Sequence, residues 1–209
     1  LELFRTFYDV NSIDPACYQG YNVKRGLRNA NGSGVIAGVT NISNVHGYLV
    51  SDSSEKIADD GILSLRGYDL YDLVGSGGPD RRYIFEEVVH LLLNGHLPTQ
   101  DQLDAFNAAI AAERELPDGF TASIIMKQTP LDIMNVMQRC ILLLYAYDED
   151  PEDRSVKHEI ETAISLLSRL PRVAVLAYYA LHARYEGGSM IMHPFITGHS
   201  TAETLLSML

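Results

Sequence analysis

The sequence has little cysteine and little positive charge. Its 209 residues include two cysteines, Cys17 and Cys140, which lie far apart and at no metal-ligand spacing. This excludes a disulfide scaffold and predicts a reduced, cytoplasmic protein with buried thiols. Sixteen Lys and Arg residues stand against 27 Asp and Glu residues, for a formal net charge of −11. Because this field repels a phosphate backbone, we expect no nucleic-acid partner.

The sequence also lacks a long hydrophobic run and the common catalytic motifs. Its most apolar stretch, residues 140–146, is too short to cross a bilayer, and no signal peptide opens the chain, so we expect a soluble protein with no membrane partner. No P-loop, G-x-S-x-G, H-E-x-x-H or paired C-x-x-C occurs. The acidic run at 148–153 lacks the regularly spaced oxygen ligands and the turn glycine of a calcium-binding loop. We therefore predict no metal centre.

The composition changes near residue 80. Residues 20–78 are rich in Gly, Asn and Ser, and short β-branched runs there predict two or three strands or hairpins, at Val35-Ile36, Val39-Thr40 and Tyr48-Leu49-Val50. From Arg81 onward the hydrophobic period is helical. We therefore expect a mainly α fold with a small antiparallel β-hairpin region. Its parts are an N-terminal helical or irregular segment (1–33), the hairpin region (34–70) and a helical part (71–209).

Helix boundaries are marked by caps and glycines. Apolar residues recur at helical spacing over 84–93, and Asn94-Gly95 supplies the stop. Thr99 and Gln102 form the capping box of the next helix. Later helices are predicted at 131–147, at 155–170, at 171–185 and from 201 to the end. The segment 171–183 is apolar around most of its circumference and carries an alanine repeat, which predicts burial in a core or against a second subunit.

Seven histidines are the natural proton carriers near neutral pH. His90 and His158 are expected at a surface or interface, His96 at a helix end, and His182 packed within a helix. His46 precedes a glycine, so we expect its backbone in a turn and its ring on local carbonyls.

Two further histidines have a functional interpretation. His193 and His199 bracket a proline-containing loop, the usual location for substrate contacts.

Residues 66–69 (RGYD) join a fork-shaped cation to a glycine turn and a helix start at Asp69, an arrangement suited to holding a carboxylate or a chain end.

Four separated blocks together resemble the N-terminal region of citrate synthases. They are Gly38-Val39-Thr40 with Ile42-Ser43 and His46-Gly47, then GILSLRGYDLYDL at 61–73, FEEVVHLLLNGHLPT at 85–99 and STAETLLSML at 200–209. The blocks stand in the family's order and spacing, and the resemblance runs from about Gly26 to Leu209.

The resemblance implies a multi-helical large domain that, in a homodimer, helps to condense oxaloacetate with acetyl-CoA into citrate and CoA. In the family an Asp removes the acetyl proton while two histidines stabilise the enol and assist the attack. Those three residues are expected beyond Leu209, so we assign no catalytic residue and no cofactor here. His199 and, more weakly, His193 are the substrate-binding candidates.

Three interpretations follow from the resemblance. The first is an inactive, truncated or proteolysed piece of a citrate synthase. The second is the equivalent piece of a 2-methylcitrate synthase, which uses propionyl-CoA. The third, from another class, is a non-catalytic helical interaction module. A reading frame that ends at Leu209 favours the module, and a downstream His-Gly-rich segment favours the enzyme.

Overall fold

The computed structural model describes residues 14–20, 26–29, 31–35, 40–53, 55–75, 83–127 and 129–209. Backbone contacts divide the chain into two units, Leu1–Asn41 and Ile42–Leu209. Each of the predicted strands at 35–36 and 39–40 contains one residue, 36 or 39, that lies outside the described residues. Most of the predicted segment 1–33 also lies outside them.

The described part of the first unit holds one short helix and one tight bridge. Helix α1 spans Pro15–Gly20, and an antiparallel bridge joins Arg28 to Gly34. Cys17 of α1 is exposed, so the prediction that both thiols are buried is wrong for this residue.

The second unit opens with an antiparallel three-stranded sheet. Strand β1 (Ser43–Val50) pairs with β2 (Lys56–Leu65), which pairs with β3 (Tyr68–Asp69), in the order β1-β2-β3. The register shifts between His46 and Tyr48 of β1, where Gly47 forms a bulge. The hairpin thus lies inside the region predicted to be β.

Three helices follow the sheet in the described residues: α2 (Leu70–Gly75), α3 (Ile84–Asn94) and α4 (Gln100–Ala112). Asp69 begins α2 as predicted, because its carboxylate accepts the N–H of Tyr71 at 2.7 Å. Gly95 ends α3 with a left-handed φ of 82°, and the capping box of α4 forms at Thr99. These local signals are confirmed.

A π-helix at Thr121–Met126 precedes α5 (Ile133–Leu144), which continues into a short 3-10 turn at Tyr145–Tyr147. Asp132 caps α5 by accepting the N–H of Asn135 at 3.2 Å. The predicted helix at 131–147 is therefore correct, with a tighter last turn.

The two helices predicted at 155–170 and 171–185 are wrong as separate elements. They form a single helix, α6 (Val156–Tyr185), with Pro171 inside it. Proline removes one backbone hydrogen bond and disfavours a helix interior by about 3 kcal/mol. Since Leu167 packs on one core cluster and Val173 on another, continuing the helix buries both sides of the proline.

Helix α6 is the centre of the packed core. The main core cluster joins the π-helix, α5 and α6 through Phe120, Ile125, Val136, Cys140, Leu144, Val173, Leu176, Ala177 and Ala180. A second cluster joins α3, α4 and α6, and a third joins α6 to α7 (Thr201–Met208). The mainly α fold with a small antiparallel hairpin is thus confirmed.

Among the described helices, α6 alone is long and apolar enough to cross a membrane by length and composition. It contributes to all three core clusters, which is the behaviour of a core helix. Ala177 and Ala180 are buried in the chain's own main cluster, so the predicted burial of this segment is confirmed.

Candidate functional site

The candidate site lies around the loop that joins α6 to α7, which carries His193 and His199. The loop leaves α6 through Gly187, whose φ is 72°, and the N–H of Gly188 donates to the carbonyl of His182 at 3.2 Å. A Cβ at Gly188 would lie 2.1 Å from the His182 ring. A larger residue at position 188 would therefore have to displace the His182 ring where the loop crosses the end of the helix.

Three side chains fix the far end of this loop. The Tyr83 hydroxyl donates to the carbonyl of Gly198 at 3.3 Å, and Arg114 Nη2 donates to the carbonyl of His199 at 2.8 Å. Glu86 Oε1 accepts the N–H of Thr201 at 2.6 Å. A carboxylate at the first turn of α7 also favours the positive end of the helix dipole. The backbone on both sides of His199 is thereby held in place.

Two of these anchors are buried charges. Glu86 is 1% exposed and Arg114 is 6% exposed. Burial lowers the pKa of the Arg114 guanidinium, while the negative charge of Glu86 opposes that shift. The arginine remains protonated, because its pKa starts far above neutral pH. Each charge therefore offsets part of the desolvation cost of the other.

Several polar atoms in this cluster are buried and have no hydrogen-bond partner among the residues that the structure describes. They are Glu86 Oε2, His199 Nδ1, Thr201 Oγ1 and Thr204 Oγ1. Buried polar atoms normally have a hydrogen-bond partner, and a buried polar atom without one costs about 1–3 kcal/mol of stability. The N-terminal end of α7 thus combines a fixed backbone with spare acceptors and an imidazole nitrogen. This arrangement can hold a small polar group or position the His199 ring.

The two predicted substrate histidines have different surroundings. His199 is half-buried, with its backbone carbonyl bound to Arg114. His193 is exposed and has its ring 6.4 Å from that of Tyr179. Among the residues that the structure describes, no hydrogen bond or ring contact joins the two histidines. The geometry thus sets His199 closer to the anchored cluster than His193.

Two histidine predictions are wrong. His90 is 6% exposed, not on the surface, because its Nδ1–H donates to the carbonyl of His96 at 3.1 Å and its ring packs on Phe106. His46 lies in strand β1 rather than in a turn, and its Nε2 contacts Asp59 Oδ2 at 2.9 Å instead of a local carbonyl. Cross-strand pairing decided its environment.

The remaining histidines serve helix ends. His96 donates to the carbonyl of Asn94 at 3.1 Å, as predicted for a helix stop. His158 Nε2 binds Asp148 at 3.1 Å near the start of α6. His182 binds Glu186 at 2.6 Å and stacks on Tyr178. The expected hydrogen bond of His182 is confirmed, while its side chain is 36% exposed.

Arg66 binds the C-terminal end of a helix. Its Nη2 donates to the carbonyl of Leu92 in the last turn of α3 at 3.0 Å, and its backbone adopts a positive φ of 50° before Gly67. Long-range hydrogen bonds therefore involve both ends of α3, through Glu86 near its start and through the carbonyl of Leu92 near its end.

Within the described residues no group of three or more His, Cys, Asp or Glu side chains is arranged to hold a metal ion. In the acidic run, Asp153 caps the start of α6 through Ser155, and Tyr145 bonds Glu152. Hydrogen bonds from Ser155 lower the pKa of Asp153. These acidic side chains serve the ends of helices.

Glu86, Arg114 and Tyr83 are anchors that the sequence analysis missed. One signal was available, because Glu86 stands at i−3 from Val89 and i−4 from His90, on the buried face of α3. A carboxylate on an apolar helix face needs a partner. The partner itself, the N–H of Thr201, is 115 residues away.

The chain is similar in sequence and fold to known proteins of one family. The family model described as citrate synthase, C-terminal domain, matches residues 27–209. The chain is 30% identical over 172 residues to 2-methylcitrate synthase 1 of Corynebacterium glutamicum, covering 82% of this chain and 38% of that protein. It is 33% identical over 158 residues to the citrate synthase of Haloferax volcanii, covering 72% and 38%.

Solved structures show the same fold. A citrate synthase from Thermoplasma acidophilum, solved with carboxymethyl coenzyme A and oxaloacetate, matches with a TM-score of 0.65 at 20% identity, covering 83% of this chain and 40% of that chain. The citrate synthase of Thermotoga maritima matches with a TM-score of 0.61 at 22% identity, covering 89% and 41%. The chain therefore spans about two fifths of the length of the proteins that it matches.

Proposed function

This chain belongs to the citrate synthase family, and we propose that it forms the N-terminal part of the large domain of an enzyme that condenses oxaloacetate with an acyl-CoA. The observation that carries the proposal is the family match over residues 27–209. The same residues contain the anchored cluster at α7, where His199 and the backbone of the loop are held by buried side chains.

We propose that these 209 residues position substrate and do not supply the acid–base groups. In the reaction a carboxylate removes a proton from the acyl methyl or methylene carbon, and histidines stabilise the enol and the attacked carbonyl. His199 is the proposed substrate contact, with exposed His193 the weaker candidate. The anchors Glu86, Arg114 and Tyr83 are positioning residues, because each binds the backbone beside His199.

The first experiment compares the 209-residue chain with the full product of its reading frame. Each is mixed with oxaloacetate and acetyl-CoA, and loss of the thioester absorbance is followed. A thiol reagent is avoided, since Cys17 is exposed. We expect turnover by a longer product and none by the chain alone, because removal of the acid–base groups lowers the rate by orders of magnitude. Turnover by the purified chain would contradict the division of roles.

A second experiment tests His199 within the full product. His199→Ala is expected to raise KM for oxaloacetate at least tenfold, and His193→Ala to change it less. If both variants keep the parent KM, neither histidine contacts the substrate.

The acyl donor has two candidates. The relatives include both a 2-methylcitrate synthase at 30% identity and a citrate synthase at 33%. We propose acetyl-CoA as the donor and keep propionyl-CoA as the alternative. The ratio of kcat/KM for the two donors in the full product decides between them.

We also propose a homodimer, in the cytoplasm. Ala177 and Ala180 are buried within the chain itself, so they are unsuited to contact a second subunit. Exposed apolar side chains offer a better surface, and one of them is Leu142 of α5 at 75% exposure. Leu142→Glu is expected to turn a dimer into a folded monomer in sedimentation. A parent chain that is already monomeric at high concentration contradicts the dimer.

The non-catalytic helical module remains the alternative function. It gains support if the reading frame ends at Leu209 and the purified chain is stably folded without activity.

A further inference from the structure

An open pocket of about 400 Å³ lies where the π-helix, the start of α5 and the end of α6 meet. Its lining, which we call the basic pocket, consists of Lys127, Thr129, Pro130, Asn135, Arg139 and Arg184. Three of these six residues are cations and none is acidic. In a chain with a net charge of −11, such a concentration of positive charge is unusual.

Other cations along α6 are neutralised by acidic partners. Arg169 binds Glu113 at 3.0 Å and Arg172 binds Glu115 at 2.7 Å. Neither Lys127 nor Arg184 forms an ion pair with a residue that the structure describes. Arg184 stands in the last turn of α6, where the helix dipole favours a cation, but the dipole does not account for the cations that the other two elements bring to the same pocket.

The walls of the basic pocket are fixed by buried hydrogen bonds. The Thr129 side chain is buried and its hydroxyl donates to the carbonyl of Ile125 at 2.9 Å. The Tyr185 hydroxyl donates to the carbonyl of Thr129 at 2.8 Å. These bonds tie the segment after the π-helix to the end of α6. The backbones that carry Lys127 and Arg184 are therefore held together before any ligand arrives.

We propose that the basic pocket binds a multivalent oxyanion, namely the phosphate or diphosphate group of a small molecule. Guanidinium groups match the geometry of phosphate oxygens, and a lysine adds a point charge. Lys127 and Arg184 alone bring two positive charges to the pocket. A diphosphate balances both, whereas a single carboxylate balances one. The pocket shares no residue with the cluster around His199, so the proposal is independent of the proposed condensation reaction.

The experiment uses the 209-residue chain and inorganic pyrophosphate as the probe, in calorimetry at low ionic strength. We expect saturable binding, and weakening of about tenfold or more in Lys127→Gln/Arg184→Gln, since each charge-assisted hydrogen bond contributes at least that factor. Lys157→Gln is the matched control, because Lys157 is an exposed cation on the same helix. It should leave the affinity nearly unchanged. Equal weakening in the control, or no saturable binding, overturns the proposal.

A second measurement needs no variant. Acylation of lysine amines is mapped by mass spectrometry with and without pyrophosphate, and Lys127 is expected to be protected while Lys157 is not. Binding without protection of Lys127 overturns the site. Inorganic phosphate and ATP then distinguish the sources: tighter binding of ATP than of pyrophosphate supports a nucleotide, and equal binding supports the bare oxyanion.

Discussion

The β1–β2 hairpin and the helices around α6 are stabilised in different ways. In the hairpin, apolar side chains of both strands stay exposed, among them Val45, Leu49 and Ile57. Around α6, side chains of the same kind are buried in three clusters. The hairpin therefore depends on its backbone ladder and cross-strand pairs, whereas the helical part depends on burial. Matched substitutions in the two regions measure this difference.

The largest expected effect comes from a pair of cations. Arg114→Leu leaves Glu86 as an uncompensated buried charge, and we expect a loss of about 3–5 kcal/mol of stability in urea unfolding. The hairpin counterpart is Lys56→Leu, which removes a cation lying 4.3 Å over the Tyr48 ring and should cost about 1 kcal/mol or less. Equal losses in the two variants would show that Glu86 does not need Arg114.

The second largest loss of stability is expected from substitutions at a pair of leucines. Leu176 is 3% exposed and Leu49 is 53% exposed. Leu176→Ala opens a cavity in the main core cluster and is expected to cost about 2–5 kcal/mol. Leu49→Ala should cost less than about 1 kcal/mol, because water already covers much of the side chain. Urea unfolding checks both, and a larger loss at Leu49 would mean that the hairpin face is covered in solution.

The next largest loss of stability is expected from substitutions at a pair of glycines. Gly188→Ala drives a methyl group into the His182 ring, which is already bound to Glu186 and stacked on Tyr178. The expected cost is about 1–3 kcal/mol. Gly47→Ala meets nothing within 4 Å and should cost about 1 kcal/mol at most.

The double variant Gly188→Ala/His182→Ala is the control for the clash. Removing the ring should make the alanine at 188 nearly neutral in the altered background. A full cost that persists without the ring would place the strain in the backbone instead.

The smallest effect is the pH dependence of the hairpin. Hydrogen bonds from His46 and then from the Asp60 N–H lower the pKa of the exposed Asp59 carboxyl. Because the folded pKa is the lower one, the stabilisation is present above the unfolded value of about 4 and is lost as the pH falls through the folded pKa. Amide chemical shifts of β1 and β2 followed through an acid titration should show this step. Asp59→Asn should remove it.

Local signals in the sequence predicted much of the helical part. The capping box at Thr99 and the stop at Gly95 depend on bonds between residues a few positions apart, and both formed. Pro171 was misleading because packing on both sides of it outweighs its local preference. Local propensity sets the boundary of a helix only where core packing does not favour a different boundary.

The candidate site was predicted less completely than the fold. His199 was identified from its loop, but its anchors were not. Arg114 and Glu86 bind backbone atoms 85 and 115 residues away, so no short window contains both partners. The basic pocket was not predicted from the sequence for the same reason, since its cations come from three separate elements.

The central position of α6 has a consequence for the nascent chain. Helices α3, α4 and α5 all precede α6 in the sequence, yet each buries its apolar face against it. During synthesis these faces emerge from the ribosome before their partner has been made. The growing polypeptide therefore carries exposed apolar surface until residue 180 has left the tunnel, and α3, α4 and α5 can then pack against α6.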